Sequence, residues 1–285
     1  MNSQITGAET PSPTDLYLDL LKRILTRTGF PMPYRLLPTG QGPLRALRPL
    51  QRLLRQLGLE VVRRSSDEVR AQGLDWPVDA ETMIGWQRLD HLERCIRSVL
   101  ADEVPGDLLE AGVWRGGATI LMRGTLQALG DQRRCVWVAD SFRGLPRPDM
   151  KRYPIDASGD RFWRQPELAV SIGQVRANFA KYGLLDERVR FLEGWFEDSL
   201  PSAPIDRLAL LRLDGDMYGS TMDALRALYA KVSIGGYIII DDYAIPNCRR
   251  AVDDFRAELR LRGSLRPVDW TGAYWRKGLE EENEL

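Results

Sequence analysis

"DLLEAGVWRGGATILMRGTLQALG", residues 107–130, decides the fold of this chain. Its first part, "DLLEAGVW" (107–114), is largely apolar and too short for a helix, which suits a strand covered on both faces. A glycine-bearing turn follows, and "ATILMRGTLQALG" then reads as a helix. The alternation continues through "CVWVADSF" (135–142), "VRFLEGWF" (189–196), "LALLRL" (208–213) and "YIIIDD" (237–242). Between the last two, "STMDALRALYAKV" reads as a helix opened by a capping-box pattern from Ser220 to Asp223. Strands alternating with helices imply an α/β fold with a mostly parallel, doubly wound sheet. "DWTGAYWRK" (269–277) closes it as an antiparallel hairpin with aromatics packed on the sheet.

Texture changes near residue 105. Before it, "TDLYLDLLKRIL" (14–25), "GPLRALRPLQRLLRQLG" (42–58) and "MIGWQRLDHLERCIRSVLADE" place apolar residues at three- and four-residue spacing, mostly with Arg between, as amphipathic helices do. "FPMPYRLLPTGQGP" (30–43) is a Pro/Gly connector. Two regions are therefore predicted: residues 1–104, a helical cap with a role in oligomerisation, and 105–285, the sheet domain.

Of 285 residues, 44% are hydrophobic and 28% charged, enough for one large core or a core with a smaller appendage. Forty basic and forty acidic side chains cancel, so no overall field draws the chain to nucleic acid or an anionic membrane. Cys95, Cys135 and Cys248 form no CxxC pair and fit a reducing compartment as buried thiols. No apolar run approaches the length of a spanning helix, and "MNSQITGAETPSPTD" lacks the order of a signal peptide, so a cytoplasmic location is expected. His91, the lone histidine, sits at the edge of a predicted helix face and reads as a surface or packed residue.

Ligands of such sheets bind beyond the carboxyl ends of the strands. There the apolar runs end on charged or small residues: Glu110 and Gly112 with Gly116 and Gly117, then Asp140 and Ser141, Trp195 and Phe196, Asp214 and Asp216, and finally Asp241 and Asp242. Carboxylates this crowded need a partner, because like charges at close range force one to stay protonated. A cation bridging the fourth and fifth strand ends answers that need, and oxygen ligands on stiff strands suit magnesium (Mg²⁺). The turn "EAGVWRGG" (110–117) is not GxGxxG, which argues against a dinucleotide cradle, and its glycines have a steric reading as well. Asp140, after the second strand, is placed to meet a ribose. A glycine turn and a ribose acid without a phosphate cradle suit S-adenosylmethionine.

"GDLLEAGVWRGGATILMRG", "VWVADSFRGLP", "GLLDERVRFLEGWFEDSLP", "LALLRLDGDMYGSTMDAL" and "GGYIIIDDY" resemble, in order, the macrocin O-methyltransferase family, whose members methylate deoxysugar hydroxyls of macrolide and aminocoumarin antibiotics. "LYLDLLKRIL", "AETMIGWQRLDHLERC" and "VDWTGAYWRK" extend the resemblance to almost the whole chain. It implies a class I, Rossmann-like methyltransferase using S-adenosylmethionine and Mg²⁺ on a small-molecule glycoside, and a homo-oligomer, dimer or tetramer. Carried over residue by residue, it makes Asp214 the general base and Asp216, Asp241 and Asp242 the metal ligands. Glu110, Gly112, Gly116 and the turn would hold the methionine part of the cofactor. Asp140 with Ser141 would meet its ribose, Trp195 and Phe196 would flank its adenine, and Thr82 with Met83 would reach over it.

"RGLPRPDMKRYPIDASGDRFWRQPEL" (143–168) is long for a connection in a compact domain and reads as a lid over the acceptor. Three other readings stay open, one of them a non-catalytic scaffold that only binds S-adenosylmethionine. A catechol-type O-methyltransferase would apply the same metal logic to a phenol, and "DGD" also fits the DxD motif of metal-dependent glycosyltransferases.

Overall fold

The computed structural model describes residues 10–30, 34–36, 46–59, 61–158 and 162–278. Its centre is a seven-stranded sheet made of β3 (Asp107–Ala111), β4 (Val136–Asp140), β5 (Val189–Glu193), β6 (Leu208–Leu213), β7 (Val232–Ile240), β8 (Arg266–Pro267) and β9 (Ala273–Arg276), in the order β5-β4-β3-β6-β7-β9-β8. The first five are mutually parallel, β9 pairs antiparallel with β7, and β8 pairs antiparallel with β9. A separate small ribbon pairs β1 (Tyr34–Leu36) with β2 (Val62–Arg64).

The strands are apolar throughout because both faces are covered. On one face α1 (Pro13–Thr26), α4 (Trp86–Ala101), α5 (Gly117–Ala128) and α6 (Ile172–Lys181) bury Leu18, Leu89, Leu121 and Phe179 with Leu108 and Leu210. On the other, α8 (Tyr218–Leu228) and α9 (Pro246–Glu258) bury Leu225 and Phe255 with Leu109 and Leu211. Successive residues of a strand thus serve opposite cores, as the period of two requires. Because α1 and α4 share a core with the sheet, the texture change near residue 105 marks the first parallel strand and no gap in packing.

The predicted helix over 42–58 is α2 (Arg48–Gln56), residues 42–45 lying outside the described ones, as does most of the connector at 30–43. The strands predicted over 107–114 and 135–142 stop early. Gly112 takes φ +90°, and Trp114 (φ 47°) and Phe142 (φ 55°) take left-handed conformations that end the ladders. In the C-terminal hairpin Asp269 belongs to the turn, its Oδ1 accepting from the amides of Thr271 at 3.0 Å and Gly272 at 2.8 Å. The capping box at Ser220 does not form: α8 begins at Tyr218, its N-cap is Met217, and Asp223 is occupied elsewhere. His91 is packed, its ring 4.2 Å from that of Tyr274. Burial, then Arg94, lowers its pKa to about 4. Among the described residues no helix is long and apolar enough to cross a membrane.

Candidate active site

The chain leaves β3 towards β4 and returns to β6 on its other side, so β3 and β6 flank the switch point where doubly wound sheets bind ligands. Gly112 makes this crevice possible, since a Cβ there would lie 1.9 Å from the carbonyl oxygen of Asp214. The crevice opens into a cavity of about 560 Å³. Of the predicted site residues, Thr82, Met83, Glu110, Gly112, Asp140, Ser141, Trp195, Phe196, Asp214, Asp216, Asp241 and Asp242 line it. Gly116 stands at the N-cap of α5, outside that wall.

The crowded carboxylates are held first by a residue that sequence reasoning missed. Arg212, 2% exposed, lies beside Glu110 in the β3–β6 register and two residues before Asp214, hence on the same face. Its guanidinium pairs with Glu110 and Asp241 and reaches Asp214 Oδ2 at 3.1 Å. Burial opposes a charge there, but Asp241, Glu110, Asp214 and Asp242 outweigh it and keep the arginine protonated. The signal was present in "LALLRLD", where a lone cation interrupts a fully buried strand and so requires an anionic partner.

Arg212 does not neutralise every acid. Burial raises Glu110 to about 8 despite the arginine, and burial with Asp241 raises Asp214 to about 6. Asp241 behaves oppositely: burial pushes it up, but Arg212 and Arg88 together hold its carboxyl below the usual range. Arg88 in turn keeps Nε 3.0 Å from Asp269 Oδ2. Asp241 is thus tied to two arginines. Asp214, Asp216 and Asp242 form a separate group whose ligand atoms lie within 4.8 Å of one another. The amide of Asp216, in a left-handed conformation (φ 53°), donates to Asp242 Oδ2 at 3.1 Å. Burial, then Asp216, Asp214 and Asp241, push the Asp242 carboxyl well up. Three oxygen donors that repel one another fit a hard divalent cation, whose charge would reverse those shifts.

At the other end of the cavity, Asp140 joins two turns. Its Oδ2 accepts from the Val113 amide at 2.8 Å and its Oδ1 from the Phe142 amide at 2.7 Å. Trp195 and Phe196 open the short helix α7 (Phe196–Ser199). Thr82 and Met83 arrive from the N-terminal third and dock on the glycine turn. The amide of Gly117 donates to the Glu81 carbonyl at 3.0 Å, and a Cβ on Gly117 would lie 2.6 Å from both Glu81 O and Thr82 Cβ. Three arginines fasten this strap: Arg70, on the short helix α3 (Asp67–Ala71), donates to Met83 O at 2.7 Å, Arg115 to Val78 O at 2.8 Å and Ala80 O at 2.9 Å, and Arg27 to Glu81 Oε1 at 3.2 Å. Gly117→Ala should therefore lift the strap, costing about 1–3 kcal/mol by overpacking, and weaken S-adenosylmethionine binding. Denaturant unfolding and equilibrium binding check this; unchanged values for both would mean the strap yields freely.

A sheet of this order, reversed by its terminal hairpin, with a glycine turn after the first parallel strand and an acid after the second, defines a class I methyltransferase, and that class uses S-adenosylmethionine. Residues 14–277 match the Macrocin-O-methyltransferase (TylF) family, and the chain belongs to it. It is 46% identical over 273 residues to the demethyldecarbamoylnovobiocin O-methyltransferase of Streptomyces niveus, covering 95% of this chain and 97% of the relative. It is 47% identical over 268 residues to the 8-demethyl-8-(2,3-dimethoxy-alpha-L-rhamnosyl)-tetracenomycin-C 4'-O-methyltransferase of Streptomyces olivaceus, covering 94% of each. The solved structure of the O-methyltransferase NovP superposes with a TM-score of 0.78 at 44% identity, over 93% of this chain and 99% of that one. The glycosyltransferase reading of "DGD" gives way to this membership.

Proposed function

We propose that this protein methylates a deoxysugar hydroxyl of a glycosylated natural product, with Asp216 and Asp242 holding a divalent cation and Asp214 receiving the hydroxyl proton. The observation that carries this reading is the convergence of three carboxylates within 4.8 Å on a cavity that also reaches the glycine turn. The Streptomyces olivaceus relative, whose name places a rhamnosyl group on its substrate, supports the acceptor class. Mg²⁺ bound there would lower the pKa of a ligated hydroxyl and fix its direction.

The chain's own residues supply the rest. Asp214 accepts the proton as the acceptor oxygen bonds to the methyl carbon, and the carbon–sulfur bond of the donor breaks. Arg212 stays charged beside Asp214 and keeps that carboxylate on the crevice side of β6. Asp241 anchors Arg212 and Arg88 rather than entering the carboxylate group. Glu110, Asp140 and the Trp195–Phe196 pair would hold the donor, with Thr82 and Met83 above it. No histidine competes as base, because His91 is buried against Tyr274.

Chelation should abolish turnover of a deoxysugar glycoside, added Mg²⁺ should restore it, and Asp242→Asn should raise the Mg²⁺ concentration needed by about tenfold or more. Mass analysis of the methylated product checks this. Full turnover in chelator would remove the cation from the reading. The exposed leucines Leu16 and Leu20 of α1 and Leu50 and Leu53 of α2 support a homo-oligomer, which light scattering tests.

A further inference from the structure

The four residues from Asp214 to Met217 join β6 to α8. Their upstream end is fixed by the ladder and by Arg212. Their downstream end is the first turn of α8, whose leading amides have no partner within the helix. Met217, the N-cap, makes no side-chain cap bond, and Asp223 is taken by Arg152 and Tyr153.

Those amides are taken instead by Asp156, from the long segment after β4. Asp156 is 4% exposed, and its Oδ1 accepts from the Tyr218 amide at 2.8 Å while its Oδ2 accepts from the Gly219 amide at 2.9 Å. Asn247 of α9 steadies the cap from behind, donating Nδ2 to Asp156 Oδ1 at 3.1 Å and to the Ile155 carbonyl at 3.2 Å. The neighbours of Asp156 grip the same helix: the Tyr153 hydroxyl donates to Asp223 Oδ1 at 2.6 Å, and Arg152 reaches that oxygen at 2.8 Å. Gly219 lets the segment seat, because a Cβ there would lie 2.6 Å from the Tyr153 ring and 3.2 Å from Asp156 Oδ2. The segment also walls the cavity through Leu145, Arg147 and Tyr153.

We infer that Asp156 is a positioning residue: by capping α8 from the segment that lines the acceptor end of the cavity, it makes the arrangement of Asp214 and Asp216 depend on that segment being seated. The inference rests on the reading proposed above, in which Asp216 and Asp242 hold the cation beside Asp214. Its physical basis is that Asp216 holds a left-handed conformation, which costs energy and persists only where the surroundings enforce it. Loss of the cap frees one of the two ends that enforce it.

The test compares Mn²⁺ affinity in the full chain with Asp156→Ala, Gly219→Ala and Asp242→Asn, alongside S-adenosylmethionine affinity, melting temperature and amide exchange. Asp156→Ala should weaken Mn²⁺ binding by about tenfold although it offers no ligand, as loss of a supporting contact does. Cofactor affinity should hold, and the amides of Tyr218 and Gly219 should exchange faster. Asp156→Asn keeps one acceptor oxygen and should recover part of the loss. Gly219→Ala separates positioning from mere stabilisation, since alanine favours the helix yet displaces Tyr153. Its melting temperature should fall less than that of Asp156→Ala, helix preference offsetting part of the overlap with Tyr153, while Mn²⁺ affinity falls as far.

If Asp242→Asn weakens Mn²⁺ binding and neither Asp156→Ala nor Gly219→Ala does, Asp156 only stabilises the helix and the inference is wrong. It is equally wrong if cofactor affinity drops in parallel with Mn²⁺ affinity, or if exchange at Tyr218 and Gly219 is unaltered. Should Asp242→Asn itself bind Mn²⁺ normally, the cation site is misassigned and the inference goes with it.

Discussion

Arg212→Met should destabilise the protein by about 3–5 kcal/mol and remove its methyl-transfer activity, because it leaves buried carboxylates without their cation. Glu110 and Arg212 are each 2% exposed, so water cannot replace the lost partner. Glu110, already raised to about 8, would become neutral throughout the physiological range. Asp241 would fall back on Arg88 alone. Adding Glu110→Gln to Arg212→Met should recover part of the stability, since the glutamine removes one of the orphaned acids, and a double-mutant cycle reads that coupling directly. A denaturant midpoint for Arg212→Met equal to that of the parent chain would show that the acids do not depend on this arginine.

Asp214→Asn should lower kcat by about 10²- to 10⁴-fold, the usual span for a general base, while leaving the cation-free fold as stable or more so. The sign follows from linkage. The folded pKa of Asp214, about 6, lies above the usual 3.8, and that of Glu110, about 8, above 4.5. Groups raised in this way contribute stability that is complete below their unfolded values and is lost as pH climbs through the folded ones. Without a divalent cation, stability should therefore decline from about pH 4 to about pH 8, and Asp214→Asn should flatten the lower half of that decline. Mg²⁺ should oppose the decline by favouring the ionised carboxylates. Unfolding curves at several pH values, with and without the ion, measure all three effects. A flat profile would mean that these acids ionise freely in the folded chain and that burial does not hold their protons.

The fold was legible because its cause is periodic. Five apolar runs, each separated from the next by helical or turn-bearing sequence, leave few arrangements other than a parallel sheet, and all five appear as parallel strands. Strand ends were less legible because turns at Trp114 and Phe142 depend on backbone conformations that no apolar count reveals. The rim of the site followed from topology, since residues at the carboxyl ends of neighbouring strands must converge. How the carboxylates divide did not follow: Asp241 and Asp242 are adjacent in sequence, yet one faces two arginines and the other faces Asp214 and Asp216. Arg88 and Asp156 were out of reach, because their partners lie far along the chain and no local pattern links them. The local pattern at Ser220 pointed the wrong way for the same reason, a tertiary cap having displaced the helix's own.

The strap over the glycine turn bears on how relatives could be recombined. Exchanging N-terminal thirds at the apparent seam near residue 105 would part Glu81 and Thr82 from Gly117, and Arg115 from the carbonyls it gathers. A crossover placed before Ser66 keeps the strap, Arg70, Arg115 and the glycine turn in a single inheritance and parts the strap only from Leu25 and Arg27 of the α1 end, so chimeras cut there should retain more donor affinity than those cut at 105.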